Sequence, residues 1–239
     1  FVNGTRLPLE ELLEANTEKY TSVYADRGKK GEPTRVSDGK GLVKCYEGAP
    51  VDKVKVYIPV FPGTNCDYDT ARAFERAGAE VDITVFKNLT GDDVLESIKE
   101  MKEHIAECHI MMLSGGFSAG DEPDGSGKFI ANVLNNKDVA DAIHALLDRG
   151  GLMLGICNGF QALVKSGLLP YGRLGKVSKA SPTLFRNDIN RHISQIVSTR
   201  VGTVASPWLS SFAVGDIHSI AVSHGEGKFV VSPQLAEQL

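Results

Sequence analysis

The sequence predicts an α/β fold: a three-layer sandwich with a mostly parallel central sheet, plus an antiparallel β excursion in its last third. Three observations predict it. From Val54 onward, short apolar runs alternate with amphipathic stretches of helical period. Two of those runs end in glycine-containing turns at the point where a sheet covered on both faces hands the chain to a helix. After Leu169 the alternation fades into β-type runs with no helices between them.

The elements follow in order. Val54–Phe61 (VKVYIPVF) is an apolar run closed by Pro62-Gly63 and is the first strand. Asp67–Gly78 is predicted helical, with Ala71, Phe74 and Ala77 on one face, and Glu80–Phe86 is the next strand. Asp92–Ala106 sets Val94, Ile98, Met101 and Ile105 on one helical stripe. Cys108–Leu113 is a buried strand running into Ser114-Gly115-Gly116, and two helical stretches follow around Phe129–Leu134 and Val139–Asp148. Leu152–Ile156 is a compact strand that turns at Cys157 into a helix over Asn158–Ser166. Ile193–Val201 and Ile217–Ser223 read as strands at the edge of the main sheet. The second leads into His224-Gly-Glu-Gly227; Lys228–Val231 is a further short strand, and Pro233–Leu239 has helical character.

Residues 1–53 differ. A short helix over Leu9–Tyr20 is followed by a Gly-, Pro- and Lys-rich stretch from Arg27 to Gly41 that reads as a linker, so the domain is expected to span 54–239. The first residue is Phe1 and not Met, which suggests a chain cut from something longer.

Composition removes several function classes. The 239 residues carry 26 basic and 30 acidic side chains, a net charge of −4, which argues against a nucleic-acid binder driven by bulk charge. An apolar fraction of 42% with 23% charged residues can form a core. No run approaches the roughly 18 apolar residues of a membrane span, and no basic segment precedes an apolar one at the start. The expectation is a cytoplasmic chain with neither a membrane nor a nucleic-acid partner. Cys45, Cys66, Cys108 and Cys157 are scattered, and the six histidines do not fall at ligand spacings from them, so no metal site is expected.

The chemistry centres on Gly155-Ile-Cys157-Asn-Gly159. Its G-x-nucleophile-x-G spacing, between an apolar strand and an amphipathic helix bearing Phe160, Leu163 and Val164, is that of a strand-to-helix elbow. A lone cysteine is more often a small buried apolar residue; here the strand, the flanking glycines and the helix reverse that preference. The helix N-terminus sets a positive partial charge beside the sulfur, which suits a nucleophile. The backbone N–H of Asn158 would face an oxyanion at the attacked carbonyl. A second donor is expected in the Leu113–Ser118 loop, since Gly115-Gly116 follows a buried parallel strand at the sheet's carboxyl end.

Four strings carry a resemblance: Phe61-Pro-Gly-Thr-Asn-Cys66-Asp, Leu113-Ser-Gly-Gly-Phe-Ser-Ala-Gly-Asp121, Gly155-Ile-Cys-Asn-Gly-Phe-Gln161 and Val222-Ser-His-Gly-Glu-Gly227. In this order, spread over most of Val54–Val231, they resemble the glutaminase domain of phosphoribosylformylglycinamidine synthase, a class I glutamine amidotransferase with a flavodoxin-like sheet. Residues 1–53 are similar to the end of the preceding synthetase domain plus linker in the long single-chain form. The resemblance implies that Cys157 attacks the side-chain amide of glutamine, that a glutamyl thioester forms, and that ammonia passes to the synthetase portion. There, ATP and Mg would serve conversion of formylglycinamide ribonucleotide to its amidine in purine biosynthesis. It further implies an oxyanion hole at Gly116 and Asn158, and substrate contacts from Gly63, Thr64, Asn65, Gly115, Phe117 and Gln161. No cofactor is implied in the glutaminase domain itself.

One departure concerns the general base. The family supplies a His-x-Glu pair in a His-Pro-Glu or His-Ser-Glu motif near the domain's C-terminus, and no such motif occurs here. Residues i and i+2 of an extended chain point the same way, so His224 and Glu226 are the candidates that spacing alone selects. The resemblance places the true pair beyond Leu239, because the family has this Ser-His-Gly-Glu-Gly loop in addition, and it implies weak or slow turnover by residues 1–239 alone. Cys66 is expected to pack at a helix start with Asp67 as N-cap. The acidic Asp121-Glu122-Pro-Asp124 loop and the Arg186–Arg191 segment are candidates for contact with the synthetase. His104, His109, His144, His192 and His218 read as structural. A related-fold cysteine hydrolase or chaperone-like protein, and a non-catalytic docking module, are the alternative readings.

Overall fold

A computed structural model of the chain describes residues 6, 8–15, 50–118 and 127–236. Residues 9–15 form helix α1, with Leu9, Leu12 and Leu13 exposed. The expected extension of this helix to Tyr20, the linker and Cys45 lie outside the described residues.

The central sheet is parallel. Strand β1 (Lys55–Val60) is followed by helix α2 (Asp67–Arg76), β2 (Glu80–Val85), α3 (Gly91–Glu107) and β3 (Ile110–Leu113). Helices α4 (Lys128–Leu134) and α5 (Lys137–Asp148) precede β4 (Leu152–Gly155), and α6 (Asn158–Lys165) follows it. Strand order is β2-β1-β3-β4, so β1 and β3 hold the centre, with Val56 opposite Ile110 and Leu113 opposite Gly155.

Strand parity sorts the core into two layers. Tyr57, Met111 and Leu113 face a large cluster filled by Met101 and Ile105 of α3, Ile143 and Leu146 of α5, Ile130 and Leu134 of α4, and Leu163 of α6. Val56, Ile58 and Met112 face the other way, against Ala71 and Phe74 of α2. The long helix α3 starts at a capping box, in which Thr90 and Asp93 satisfy each other's backbone N–H.

Beyond α6 lie a short helix α7 (Leu168–Tyr171), β5 (Thr183–Phe185), β6 (Ile193–Arg200), a 3₁₀ turn (Pro207–Leu209), β7 (Ile217–His224), β8 (Lys228–Val230) and α8 (Pro233–Ala236). The antiparallel part forms two separate two-stranded sheets, β5–β8 and β6–β7, and does not extend the main sheet as expected. It is tied to the core through the 3₁₀ turn, where the Trp208 indole N–H donates to the Met153 carbonyl at 3.2 Å.

Candidate active site

Three adjacent parallel strands deliver three loops to one end of the sheet: β1 into Gly63–Cys66, β3 into Gly115–Ser118, and β4 into Cys157. This carboxyl end is where open α/β sheets bind ligands.

The first two loops are laced together by backbone. Thr64 and Gly116 form an antiparallel bridge. The N–H of Phe117 donates to Gly63 O at 2.9 Å, and that of Asn65 donates to Gly115 O at 3.2 Å. Gly116 has φ +150, and a Cβ there would lie 2.4 Å from Gly63 O, so only glycine fits. Gly116 is buried, and its own N–H makes no hydrogen bond among the described residues. Ser114 Oγ, one step before the glycine pair, is buried without a partner among the described residues. Phe117 is exposed at the rim.

The third loop is the elbow. Cys157 has φ 54 and ψ −109, a conformation costing a non-glycine residue about 1–3 kcal/mol. Two contacts hold it there: a Cβ on Gly155 would meet Gly159 C at 2.7 Å, and one on Gly159 would meet Leu113 O at 2.0 Å, so bare glycine surfaces let α6 seat on β3 and β4. Cys157 is the N-cap of α6, makes no side-chain capping bond and is exposed. A solvent-accessible sulfur therefore sits at the positive end of a helix.

The residues flanking the sulfur are locked. Asn158 is 1% exposed; its Oδ1 accepts from Ser118 N–H at 3.2 Å, and its Nδ2 donates to Gln161 Oε1 at 3.1 Å. Gln161 Nε2 in turn donates to the Glu226 carbonyl at 2.9 Å. The two carboxamides thus connect the glycine loop, the elbow helix and the turn after β7. The Gln161 side chain, which the resemblance assigns to substrate, is engaged in this internal chain.

His224 and Glu226, the pair that spacing alone selects, are not hydrogen-bonded to each other. His224 Nδ1 lies 3.0 Å from Asn187 Oδ1, and no ion pair or hydrogen bond links the ring to Glu226 or to Cys157. Strand β7 ends at His224 and the chain bends at Gly225 and Glu226, so the i, i+2 parity of extended chain is lost. The sequence reading missed Asn187 as a hub. Buried in the Arg186–Arg191 segment, it donates through Nδ2 to the carbonyls of His224 and Arg191, accepts the Gly227 N–H, and donates its own N–H to Gly225 O.

The other histidine rings have structural partners: His104 with Asp82 and Tyr57, His109 with Lys55, His144 with Leu174, His192 with Ser223 and His218 with Phe212. The start of α2 also differs from expectation. Its N-cap is Cys66, without a side-chain capping bond, and Asp67 is the first helical residue. Desolvation, then the neighbouring Cys157, push the Cys66 thiol above its ordinary range. Among the described residues no group of three or more His, Cys, Asp or Glu side chains is placed to hold a metal ion, and no helix is long and apolar enough to cross a membrane. Residues 119–126, including the acidic loop, lie outside the described residues.

The sequence profile of the CobB/CobQ-like glutamine amidotransferase domain matches residues 53–239. The phosphoribosylformylglycinamidine synthase subunit PurQ of Dehalococcoides mccartyi is 36% identical over 190 residues, covering 79% of this chain and 68% of that protein. PurQ of Roseobacter denitrificans is 32% identical over 182 residues, covering 76% and 69%. Among solved structures, PurLQS from Thermotoga maritima superposes with a TM-score of 0.55 at 28% identity, covering 75% of this chain and 70% of the matched one. With a profile spanning most of its length and relatives of this similarity, the chain belongs to the CobB/CobQ-like glutamine amidotransferase family.

Proposed function

We propose that this domain hydrolyses the side-chain amide of glutamine on Cys157 and supplies the ammonia to a phosphoribosylformylglycinamidine synthase. The observation that carries the reading is the Cys157 backbone, strained at φ 54 and presenting an exposed sulfur at the first turn of α6. Strain of this kind persists only where the surroundings over-determine it, and at a strand-to-helix elbow it lifts a nucleophile clear of the sheet.

In this reading the Cys157 thiolate attacks the amide carbon, and the tetrahedral oxyanion is met by the N–H groups of Gly116 and Asn158. The amide nitrogen leaves as ammonia with a proton added, and water then releases glutamate from the thioester. The Gly63–Asn65 loop, Gly115 and Phe117 border the space for the amino-acid end of the substrate. Among the described residues no histidine ring hydrogen-bonds the sulfur, so the reading assigns the proton acceptor to a group outside them and gives His224 a structural role on the Asn187 hub. ATP and Mg belong, on this reading, to the synthetase partner.

The test is glutamate release from glutamine by this chain, alone and with a cognate synthetase portion. Cys157→Ala is expected to lose ~10⁴-fold or more in either setting. Retention of activity in that variant would overturn the reading.

A further inference from the structure

The site holds a second sulfur that the proposed reaction does not use. Cys66 is the N-cap of α2, at the end of the β1 loop, and Cys157 is the N-cap of α6, at the end of β4. Strand β3 lies between them, and the residue it places between the two loops is Gly115. A Cβ on Gly115 would lie 3.5 Å from Cys66 Sγ and 3.4 Å from Cys157 Cβ. Both contacts are made to a single point, so that sulfur and that carbon are within about 7 Å of each other with no side chain from Gly115 between them. The Cys66 N–H donates to Gly115 O at 3.4 Å, which holds its loop against the glycine. Both thiols are exposed, so a small oxidant reaches each. Charge on Cys157 is among the causes that push the Cys66 thiol up, in keeping with the short separation.

We propose that Cys66 is the resolving thiol of Cys157: under hydrogen peroxide the two close a reversible disulfide that withdraws the nucleophile and shields it from irreversible oxidation. The inference rests on the reading of Cys157 as nucleophile. In the first step the Cys157 sulfur attacks one peroxide oxygen, the O–O bond breaks, the sulfur is oxidised to a sulfenic acid, and the peroxide is reduced, one oxygen leaving as water with the thiol proton. In the second step the Cys66 sulfur attacks the Cys157 sulfur and the S–O bond breaks. The departing hydroxide takes the Cys66 proton as a second water, leaving the disulfide. A thiol reductant restores both thiols.

The experiment treats the whole chain with hydrogen peroxide, blocks remaining thiols and maps the peptides by mass spectrometry. The expected product is a Cys66–Cys157 linked peptide that disappears with dithiothreitol. In Cys66→Ser that peptide is absent, Cys157 advances to sulfinic acid, and dithiothreitol restores roughly a tenth or less of the glutaminase rate that wild type recovers. Gly115→Ala, which sets a methyl in ordinary contact with both Cys66 Sγ and Cys157 Cβ, slows formation of the linked peptide several-fold. A Cys157 that passes to sulfinic acid as readily in wild type as in Cys66→Ser overturns the proposal, as does a linked peptide joining Cys157 to Cys45 or Cys108. The peptide map is read without any assay of glutamine hydrolysis, so it decides this point even if the functional reading fails.

Discussion

Gly159 lies so close to Leu113 that a methyl group on it would sit 2.0 Å from the Leu113 carbonyl oxygen. That approach seats α6 on β3, and with the matching contact at Gly155 it bends the chain sharply enough to strain Cys157. The glycines of the elbow are therefore required by packing, and the backbone conformation of Cys157 depends on them.

Gly159→Ala forces α6 off the sheet or distorts β3. The expected cost is about 1–3 kcal/mol of stability together with slower alkylation of Cys157. Urea unfolding and the rate of reaction with iodoacetamide check both parts; an unchanged alkylation rate would separate the glycine from the geometry of the sulfur.

Replacing Cys157 reports the stored strain. Glycine adopts φ 54 without steric penalty and alanine does not, so Cys157→Gly is expected to be more stable than Cys157→Ala by about 1 kcal/mol, although both lack the sulfur. The difference is read from paired urea midpoints. Alanine equal to or above glycine would mean that the elbow is not strained.

Gln161→Leu cuts the carboxamide chain between the elbow and the turn after β7. It removes the acceptor of the Asn158 Nδ2 hydrogen bond and the donor to the Glu226 carbonyl, at an expected 1–3 kcal/mol. Hydrogen exchange at Gly225–Gly227 should accelerate. A raised KM for glutamine with unchanged exchange would instead place Gln161 against the substrate.

Alkaline pH weakens the fold through two buried acids. Desolvation raises the Cys108 thiol from 9.0 to about 11 against the opposing charge of Arg149, and desolvation likewise raises the Tyr57 phenol, which is hydrogen-bonded to Thr84. Above pH 9 for the cysteine, and above pH 10 for the tyrosine, the unfolded chain has released protons that the folded chain keeps. Stability is therefore full below those values and falls as pH rises through them, by up to about 3 kcal/mol for Cys108. Urea midpoints between pH 8 and pH 11 should fall, and less steeply in Cys108→Ala than in wild type.

How much was legible in the sequence divides along physical lines. The parallel sheet and its helices were, because period and parity are local: Val94, Ile98, Met101 and Ile105 do line one face of α3, inside or against the core. The elbow was legible because strand, glycines and helix are contiguous. The carboxamide links were not. Gln161 meets Glu226 across 65 positions and Asn187 meets His224 across 37, and nothing in the local pattern of a single Asn or Gln marks such a partner. The three-residue β5, paired with β8, was too short to show a period. Nor does the local pattern around His224 and Glu226 mark that β7 ends at His224 and that the chain bends at the next two residues, where strand parity no longer applies.

The most direct test is labelling with a diazoketone analogue of glutamine, followed by peptide mapping. The account predicts a single adduct on Cys157, suppressed by excess L-glutamine and absent in Cys157→Ala. An adduct on Cys66 with Cys157 left unmodified, or labelling of Cys157 that glutamine does not slow, would contradict it.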